Sequence, residues 1–203
     1  MKRQTLINNA RIAIKEKNFQ NAINDLTEIL NETPDDVEAS LLRGESYVKT
    51  GVFKNAILDF EKAFSNPSTI GTLLTYYYYC QALYHFGNYD KAIDQVEMIL
   101  DAYKNDPDAI SLTGLFNKMH GELMLRKDDF ERATDSFSKA LLAESHDIDM
   151  IYMRAQAYYR LEKYTEAIMD FKAALMLKSD PGIHLNLGIC YFNSGKRAEG
   201  IEE

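Results

Sequence analysis

A pattern of small and aromatic residues repeats along this chain with a period of about 34 residues, and this period limits the folds that the chain can adopt. Six small residues, which we call the anchors, mark the successive periods: Ala22, Ala56, Ala92, Ala133, Ala167 and Gly200. A second small residue stands twelve positions before each anchor, and an aromatic residue stands three positions before each of the first five. A period of this length indicates a repeat architecture rather than one irregular domain.

Within each period the apolar residues follow a helical spacing. They recur at i, i+3, i+4 and i+7, which places them on one face of an α-helix. A break is predicted five residues before the anchor, where Gly51, Gly87 and Gly195 can adopt a left-handed cap. The sequence therefore predicts an all-α fold of tandem helix–turn–helix hairpins. Four prolines, which can open a helix but not continue one, fall between the repeats: Pro34, Pro67, Pro107 and Pro181.

The pattern resembles the tetratricopeptide repeat (TPR), a helix–turn–helix unit of ~34 residues with small and aromatic positions at these offsets. The resemblance covers essentially the whole chain and is best over residues 151–175. It implies a right-handed α-solenoid with about five and a half hairpins, in a single array over residues 1–203. The repeats, numbered 1 to 6, are expected at approximately 3–36, 37–70, 73–108, 114–147, 148–180 and, incomplete, 181–203.

Two departures from the regular period call for an explanation. The intervals on either side of the Ala92 anchor are longer than the others and indicate insertions, and we expect the second helix of repeat 3 to run long, through residues 98–103, before a turn at 104–108. The sequence stops at residues 201–203, about one turn into the second helix of repeat 6. Solenoids normally close with a polar capping helix. We therefore expect a fragment of a longer array or an end covered by a partner, with self-association through that end as one route, and the fragment is favoured.

Composition and charge exclude several classes of partner. The chain has 23 basic and 31 acidic residues and a net charge of −8, whereas proteins that bind nucleic acid through phosphate contacts are normally basic. Its apolar stretches are shorter than the ~20 residues that cross a bilayer, and its N-terminus lacks the apolar core of a signal peptide. Cys80 and Cys190 stand far apart in the sequence, each in an apolar stretch, as expected for buried thiols in a reducing compartment. No nucleic acid, no membrane and a cytoplasmic location are expected.

The motifs of known catalytic and cofactor sites are missing from the sequence. It contains no Walker-type glycine loop, no G-x-S-x-G and no H-E-x-x-H. The four histidines stand in different repeats without metal-like pairing: His85, His120, His146 and His184. Each is expected to be a surface or packed helix residue. We therefore expect no catalytic residues, no metal and no cofactor, and a protein that is not an enzyme.

In the TPR family, the first helices of the repeats line a concave groove. If the anchor is position 20 of its repeat, positions 2, 5, 9 and 12 lie on the groove face and positions 4, 7, 8 and 11 face the core. Tyrosine is enriched at such recognition surfaces because it is amphipathic and loses little entropy on binding. The resemblance thus implies a partner-binding groove, with two arginines at its edge, made of Tyr77, Gln81, Tyr84, Lys118, Glu122, Arg126, Tyr152, Gln156, Tyr159 and Arg160.

One partner class within the family is not expected. TPR co-chaperones that hold the acidic tails of heat-shock proteins use basic residues and asparagine at positions 2 and 6 of three successive repeats. Position 2 carries no basic residue in any of the six repeats of this sequence: Gln4, Glu38, Leu74, Leu115, Asp149 and Gly182. The carboxylate clamp is therefore missing.

Three functions remain open from the sequence. The first is a non-catalytic scaffold that binds a peptide or protein segment, of unknown identity, in the tyrosine-lined groove. The second is a structural repeat module of a larger assembly, which uses its ends and convex ridges instead of the groove. The third is a piece of an enzyme or chaperone whose active part lies outside this chain. The first is favoured by the tyrosines on the groove face.

Overall fold

The computed structural model describes residues 2–66, 69 and 71–195. These residues form eleven α-helices and, at Pro107–Ala109, one turn of 3₁₀ helix, with no strand among them. The helices are α1 (Lys2–Lys15), α2 (Phe19–Glu32), α3 (Val37–Lys49), α4 (Phe53–Phe64), α5 (Leu73–Phe86), α6 (Tyr89–Ala102), α7 (Ile110–Arg126), α8 (Phe130–Ala143), α9 (Ile148–Arg160), α10 (Tyr164–Leu177) and α11 (Pro181–Asn193).

Neighbouring helices pack as hairpins, and the chain divides into two compact units. The N-terminal unit is Met1–Gln95 and the C-terminal unit is Val96–Glu203. Helix α1 packs on α2 and α3 on α4 in the first unit, whereas α7 packs on α8 and α9 on α10 in the second. The predicted all-α fold of tandem hairpins is therefore confirmed. The predicted start of a second helix in repeat 6 lies outside the described residues.

The turn inside every hairpin contains a residue in the left-handed region, five positions before the anchor. Glycine holds this position in three repeats, with φ of 77° at Gly51, 89° at Gly87 and 81° at Gly195. The other three repeats force a residue with a side chain into the same conformation, with φ near 60°: Lys17, Asp128 and Glu162. The predicted break is confirmed, and its geometry is the same whether or not glycine is present.

The small residues lie where two helices of a hairpin approach most closely. All five anchors in the described part of the chain are 0% exposed. A Cβ added to Gly121, twelve positions before its anchor, would stand 2.7 Å from Cε1 of Phe137, and one added to Gly44 would stand 3.0 Å from Phe60. These glycines leave room for the phenylalanine ring of the second helix, which fills the core of the hairpin.

The expectation of a long second helix in repeat 3 is wrong. Helix α6 ends at Ala102 and has 14 residues, the same length as α2, α8 and α10. The additional residues form the connection at 103–109 and a longer α7 of 17 residues. The physical reason lies at the connection, where the Asp106 side chain accepts a hydrogen bond from the Asp108 N–H and Pro107 opens the 3₁₀ turn.

Consecutive repeats are joined by a recurring polar link. In repeat 2, the Arg43 guanidinium donates two hydrogen bonds of 2.7 Å to Asp59 of its own hairpin and one of 3.1 Å to Thr27 of the preceding repeat. In repeat 5, at the same offsets from the anchors, Arg154 donates to Asp170 and to the preceding Ser138. Bidentate pairs of this kind fix the geometry of the groups that they join.

Candidate partner-binding site

The exposed face of α9 forms one side of a pocket of about 380 Å³ in the C-terminal unit. Residues of α7, α8, α10 and α11 complete its walls. Three of the predicted groove residues, Gln156, Tyr159 and Arg160, lie in this wall. The full lining is Leu125, Phe130, Gln156, Tyr159, Arg160, Phe171, Asn186 and Ile189. The pocket therefore offers an apolar floor with a few amide, hydroxyl and guanidinium groups.

Two asparagines of α11 hold the tyrosines of α9. The Tyr152 hydroxyl accepts a hydrogen bond of 2.8 Å from Asn186 Nδ2, and the Tyr159 hydroxyl accepts one of 3.0 Å from Asn193 Nδ2. The Tyr152 ring also lies 5.8 Å from the ring of Phe171, centroid to centroid. Both tyrosines are half-buried, so their rings are oriented by contacts on one side and remain accessible on the other.

Arg160 covers one end of the same pocket. Its guanidinium lies 4.4 Å from the centroid of the Phe130 ring, and its NH2 group is 3.6 Å from a carboxylate oxygen of Asp128. The side chain is 57% exposed, so the Asp128 pair is screened by solvent and holds it weakly. Arg160 is therefore placed by the Phe130 ring and still available to a partner.

The predicted groove lysine is engaged inside the C-terminal unit. Lys118 Nζ donates a 2.7 Å hydrogen bond to Asp147, whose other oxygen accepts from the Met150 N–H at the start of α9. Burial alone would lower the pKa of Lys118, but this bond and the charges of Glu122 and Asp149 outweigh burial and raise the pKa. Lys118 thus ties α7 to α9, while Glu122 is half-buried beside it on α7.

Arg126 is the last residue of α7 and is exposed. It forms part of the same helix as Lys118 and Glu122, but it does not line the pocket on α9. The C-terminal unit therefore brings Gln156, Tyr159 and Arg160 together at one pocket.

The remaining predicted residues lie on α5 in the N-terminal unit. Tyr77, Gln81 and Tyr84 are half-buried there, and the Tyr84 ring is 5.9 Å from the ring of Tyr89. The core-facing positions 4 and 7 of this repeat are Tyr76 and Tyr79. Tyr79 is 3% exposed in the core as predicted, whereas Tyr76 is only half-buried. The helical phase thus separates core tyrosines from surface tyrosines on the same helix.

A second pocket, of about 480 Å³, lies in the N-terminal unit and includes two residues that the sequence analysis missed. They are Glu45 of α3 and Tyr78 of α5, and both are half-buried. The lining is Arg11, Val37, Glu38, Leu41, Leu42, Glu45, Phe60, Thr72, Thr75 and Tyr78. Glu45 stands eleven positions before its anchor, as Gln81 and Gln156 do, so the repeat register alone could have identified it.

His120 belongs to a polar cluster whose residue types are those of some hydrolases. Its Nδ1 lies 2.7 Å from Ser136 Oγ and its Nε2 lies 3.2 Å from Glu97 Oε1. Ser136 is only 3% exposed, however, and its hydroxyl donates to the Arg132 carbonyl. The three residues also occupy the offsets that Arg154, Asp170 and Ser138 occupy in repeat 5, so the cluster is a link between helices.

Other groups in the described residues point to no further chemistry. Both cysteines are free and buried, and burial raises the pKa of Cys80 to about 12 and that of Cys190 to about 11. Thiols with such pKa values are poor nucleophiles at neutral pH. Across the described ranges, no three histidine, cysteine or acidic side chains are grouped so that they could hold a metal ion. No described helix has the length and apolar character needed to span a membrane.

The fold and these surfaces define an all-α helical-repeat protein. Two family models described as "Tetratricopeptide repeat" match the chain, one over residues 7–68 and the other over residues 148–181. The matched segments are tetratricopeptide repeats, and the resemblance found in the sequence is confirmed. This fold supports a role as a protein–protein interaction scaffold, and repeat proteins of this family are generally non-catalytic.

Similar proteins include curated relatives and solved structures. The chain is 26% identical over 178 residues to the DnaJ homolog subfamily C member 7 homolog of Schizosaccharomyces pombe, and the match covers 83% of this chain and 37% of the relative. The chain thus spans little more than a third of that protein.

Two solved structures show the same fold at low sequence identity. The C-terminal part of a TPR repeat-containing protein from Cytophaga hutchinsonii has a TM-score of 0.74 and 21% identity, and the match covers 93% of this chain and 71% of that one. YrrB, described as a TPR protein with an unusual peptide-binding site, has a TM-score of 0.72 and 17% identity, with coverage of 88% and 87%. Both place this chain among TPR solenoids.

Proposed function

We propose that this chain is a non-catalytic scaffold that binds an extended segment of a partner protein on the exposed faces of its first helices. The pocket on α9 is the observation that carries the proposal. It combines an apolar floor with Tyr159, Gln156 and Arg160, and aromatic and arginine side chains of this kind are the usual anchors of protein interfaces.

The chemistry of this pocket favours a large apolar side chain as the anchor of the segment. Leu125, Phe130 and Ile189 offer apolar contact, while Gln156 and Asn186 offer amide groups to the backbone of the segment. Because Asn193 already orients the Tyr159 hydroxyl, binding costs little additional side-chain entropy at this position.

The other predicted groove residues keep distinct roles in the proposal. Tyr77, Gln81 and Tyr84 form a partner surface on α5 of the N-terminal unit. Arg126 and Glu122 extend the surface of α7 in the C-terminal unit. Lys118 acts as a positioning residue, because its ion pair with Asp147 holds the start of α9.

The net charge, the repeat positions and the cysteines indicate the class of partner and the compartment. We propose a protein partner rather than nucleic acid, since the chain carries a net charge of −8. An acidic heat-shock tail is not proposed because position 2 of every repeat lacks a basic residue. Two buried free thiols fit a reducing, cytoplasmic location.

The proposal is tested by selecting peptides from a displayed random library with the whole chain. The selected peptides are then titrated against the Tyr159→Ala variant and, as a control, the Met176→Ala variant, which alters a side chain that is 88% exposed on α10. We expect Tyr159→Ala to weaken binding about tenfold or more and Met176→Ala to leave it unchanged. Failure to select any peptide, or equal affinities for both variants, would contradict the proposal.

A repeat module within a larger protein is the second candidate. The observation that favours it is the match to only 37% of the DnaJ homolog subfamily C member 7 homolog. In this case, the active part of the chaperone or enzyme would lie in a segment of the larger protein outside these residues. Partner capture that persists unchanged in the Tyr159→Ala variant would favour this candidate over the first.

A further inference from the structure

The pocket of the N-terminal unit differs in chemistry from the pocket on α9. Its volume of about 480 Å³ lies within the range of ~300–1,000 Å³ that is typical of ligand sites. Leu41, Leu42 and Phe60 give it apolar walls. Its polar groups include the Glu45 carboxylate and the Tyr78 hydroxyl, which line the pocket together and interact electrostatically.

The Glu45 carboxylate is partly buried, and the described residues form no salt bridge with it. The groups that act on its charge are the Lys49 ammonium and the Tyr78 hydroxyl. The Lys49 ammonium lies over the Tyr78 ring instead, 4.6 Å from its centroid. Burial raises the pKa of Glu45 even though Lys49 and Tyr78 both act to lower it. The carboxylate is therefore half-buried, with its negative charge incompletely compensated.

The other carboxylate in the pocket wall, Glu38, has its charge compensated within the protein. One of its oxygens accepts a 2.9 Å hydrogen bond from Arg3, and the other accepts a 2.8 Å bond from Arg11. The Arg11 guanidinium at the rim is likewise engaged by Glu38. A cationic group that enters the pocket would therefore meet Glu45 as its partner.

We propose that this pocket binds a lysine or arginine side chain of the partner protein, with the cationic end paired to Glu45 and the aliphatic stem against Leu41 and Leu42. The proposal rests on the proposed function, since it assumes that the chain binds protein segments. Long basic side chains bury their stems on apolar walls while their charged ends pair elsewhere.

The energetic reason is the state of Glu45 before binding. Desolvation normally offsets much of the gain from a buried ion pair. Part of that cost is already met in the folded protein here, because Glu45 is partly withdrawn from water before a partner binds. A charge-assisted hydrogen bond to such a carboxylate is stronger than one between neutral groups.

The test uses the same displayed random library with three forms of the whole chain. These are the unaltered protein, the Glu45→Gln variant and the Glu16→Gln variant, which makes the same chemical change at an exposed residue that follows α1. We expect peptides with a lysine or arginine at one fixed position from the unaltered protein and from Glu16→Gln. The Glu45→Gln variant should lose this preference while remaining folded, because glutamine has the same shape.

A selected peptide then decides between the possible outcomes. Replacing its basic residue by norleucine should weaken binding to the unaltered protein about tenfold or more, and should have little effect on binding to Glu45→Gln. The Tyr78→Phe variant, which keeps the ring below Lys49, should retain the basic preference with reduced affinity. Peptides without a basic preference, or with one that survives Glu45→Gln, would overturn this inference but not the proposed function. A library that yields no peptide would overturn both.

Discussion

His120 Nδ1 lies 2.7 Å from Ser136 Oγ, at the two offsets where repeats 2 and 5 place an arginine–aspartate pair. The Ser136 hydroxyl donates to the Arg132 carbonyl, so its oxygen accepts from the Nδ1–H of a neutral imidazole. This leaves His120 Nε2 to accept from the Arg132 guanidinium, 3.1 Å away, which also pairs with Glu97. Burial and the Arg132 contact favour the uncharged form of His120 in this link, whereas the Glu97 carboxylate, 3.2 Å from Nε2, favours the charged form.

This arrangement makes stability depend on pH in a specific window. Burial is the largest influence that lowers the pKa of His120, the charges of Arg132 and Lys139 lower it further, and Glu97 opposes them. Because the unfolded chain, with a histidine pKa of ~6.5, binds the proton more readily, the contribution of His120 is present above that pH and is lost as the pH falls below it.

The His120→Gln variant tests this dependence. Glutamine keeps a hydrogen-bond donor and an acceptor but does not titrate. We therefore expect the free energy of unfolding of this variant to change less between about pH 7.5 and about pH 5.5 than that of the unaltered chain. Urea denaturation at several pH values measures the difference. The His146→Gln variant, altered at an exposed residue, should follow the unaltered chain. Parallel pH profiles for all three proteins would show that His120 is not the titrating group.

The arginine–aspartate link of repeat 5 yields a second prediction. Asp170→Ala would leave the Arg154 guanidinium, whose side chain is 21% exposed, without its bidentate partner. We expect a loss of about 3 kcal/mol in the free energy of unfolding, as for other pairs broken on one side. The double variant Arg154→Met with Asp170→Leu should recover much of this loss, because no unpaired charge remains. Chemical denaturation of both variants measures the loss in free energy of unfolding. Equal losses in the two variants would refute the interpretation that the unpaired Arg154 charge is the cause.

The left-handed turns provide a third prediction, with opposite signs at equivalent positions. Glu162 adopts φ of 58°, so Glu162→Gly should stabilise the chain by roughly 1 kcal/mol by removing the conflict between Cβ and this conformation. Gly87 adopts φ of 89°, and nothing lies within 4 Å of an added Cβ, so Gly87→Ala would add backbone strain without a steric clash. We therefore expect it to destabilise the chain by a similar amount. Thermal unfolding of the two variants checks the prediction, and shifts of the same sign would contradict it.

These turns also show how far the sequence determines the fold. The period of small residues predicted the hairpins, and Gly51 and Gly87 marked the left-handed positions directly. Lys17 and Glu162 adopt the same conformation although neither residue type favours it, because the packing of the two helices imposes it. Helical periodicity also did not indicate the 3₁₀ turn after α6, which is capped by the Asp106 side chain.

The candidate sites show a similar limit. Helical phase placed Gln156 and Tyr159 on the exposed face of α9, where the structure has them in a pocket. It did not indicate that Lys118 pairs with Asp147 on the following hairpin, since that contact depends on the packing between hairpins. Likewise, the link between Glu45 and Tyr78 joins two different helices, so no spacing within one helix reveals it.

The last prediction concerns the tyrosine that positions the pocket on α9. Tyr152 does not line the pocket, but its hydroxyl accepts the 2.8 Å hydrogen bond from Asn186, which does. Tyr152→Phe removes that acceptor and keeps the ring against Phe171, so the Asn186 amide becomes less well oriented. We expect the affinity for a selected peptide to fall a few-fold, roughly the effect of losing one neutral hydrogen bond.

The control is Tyr164→Phe, the same chemical change at a half-buried tyrosine of α10 outside the pocket. Isothermal titration gives the affinities, and thermal unfolding shows whether both variants retain the fold. Because Phe preserves the ring packing, the midpoints of unfolding should stay close to that of the unaltered chain. If the two variants bind the peptide equally well, Asn186 takes no part in recognition, and the segment contacts α9 through Tyr159 and Arg160 without the wall that α11 provides.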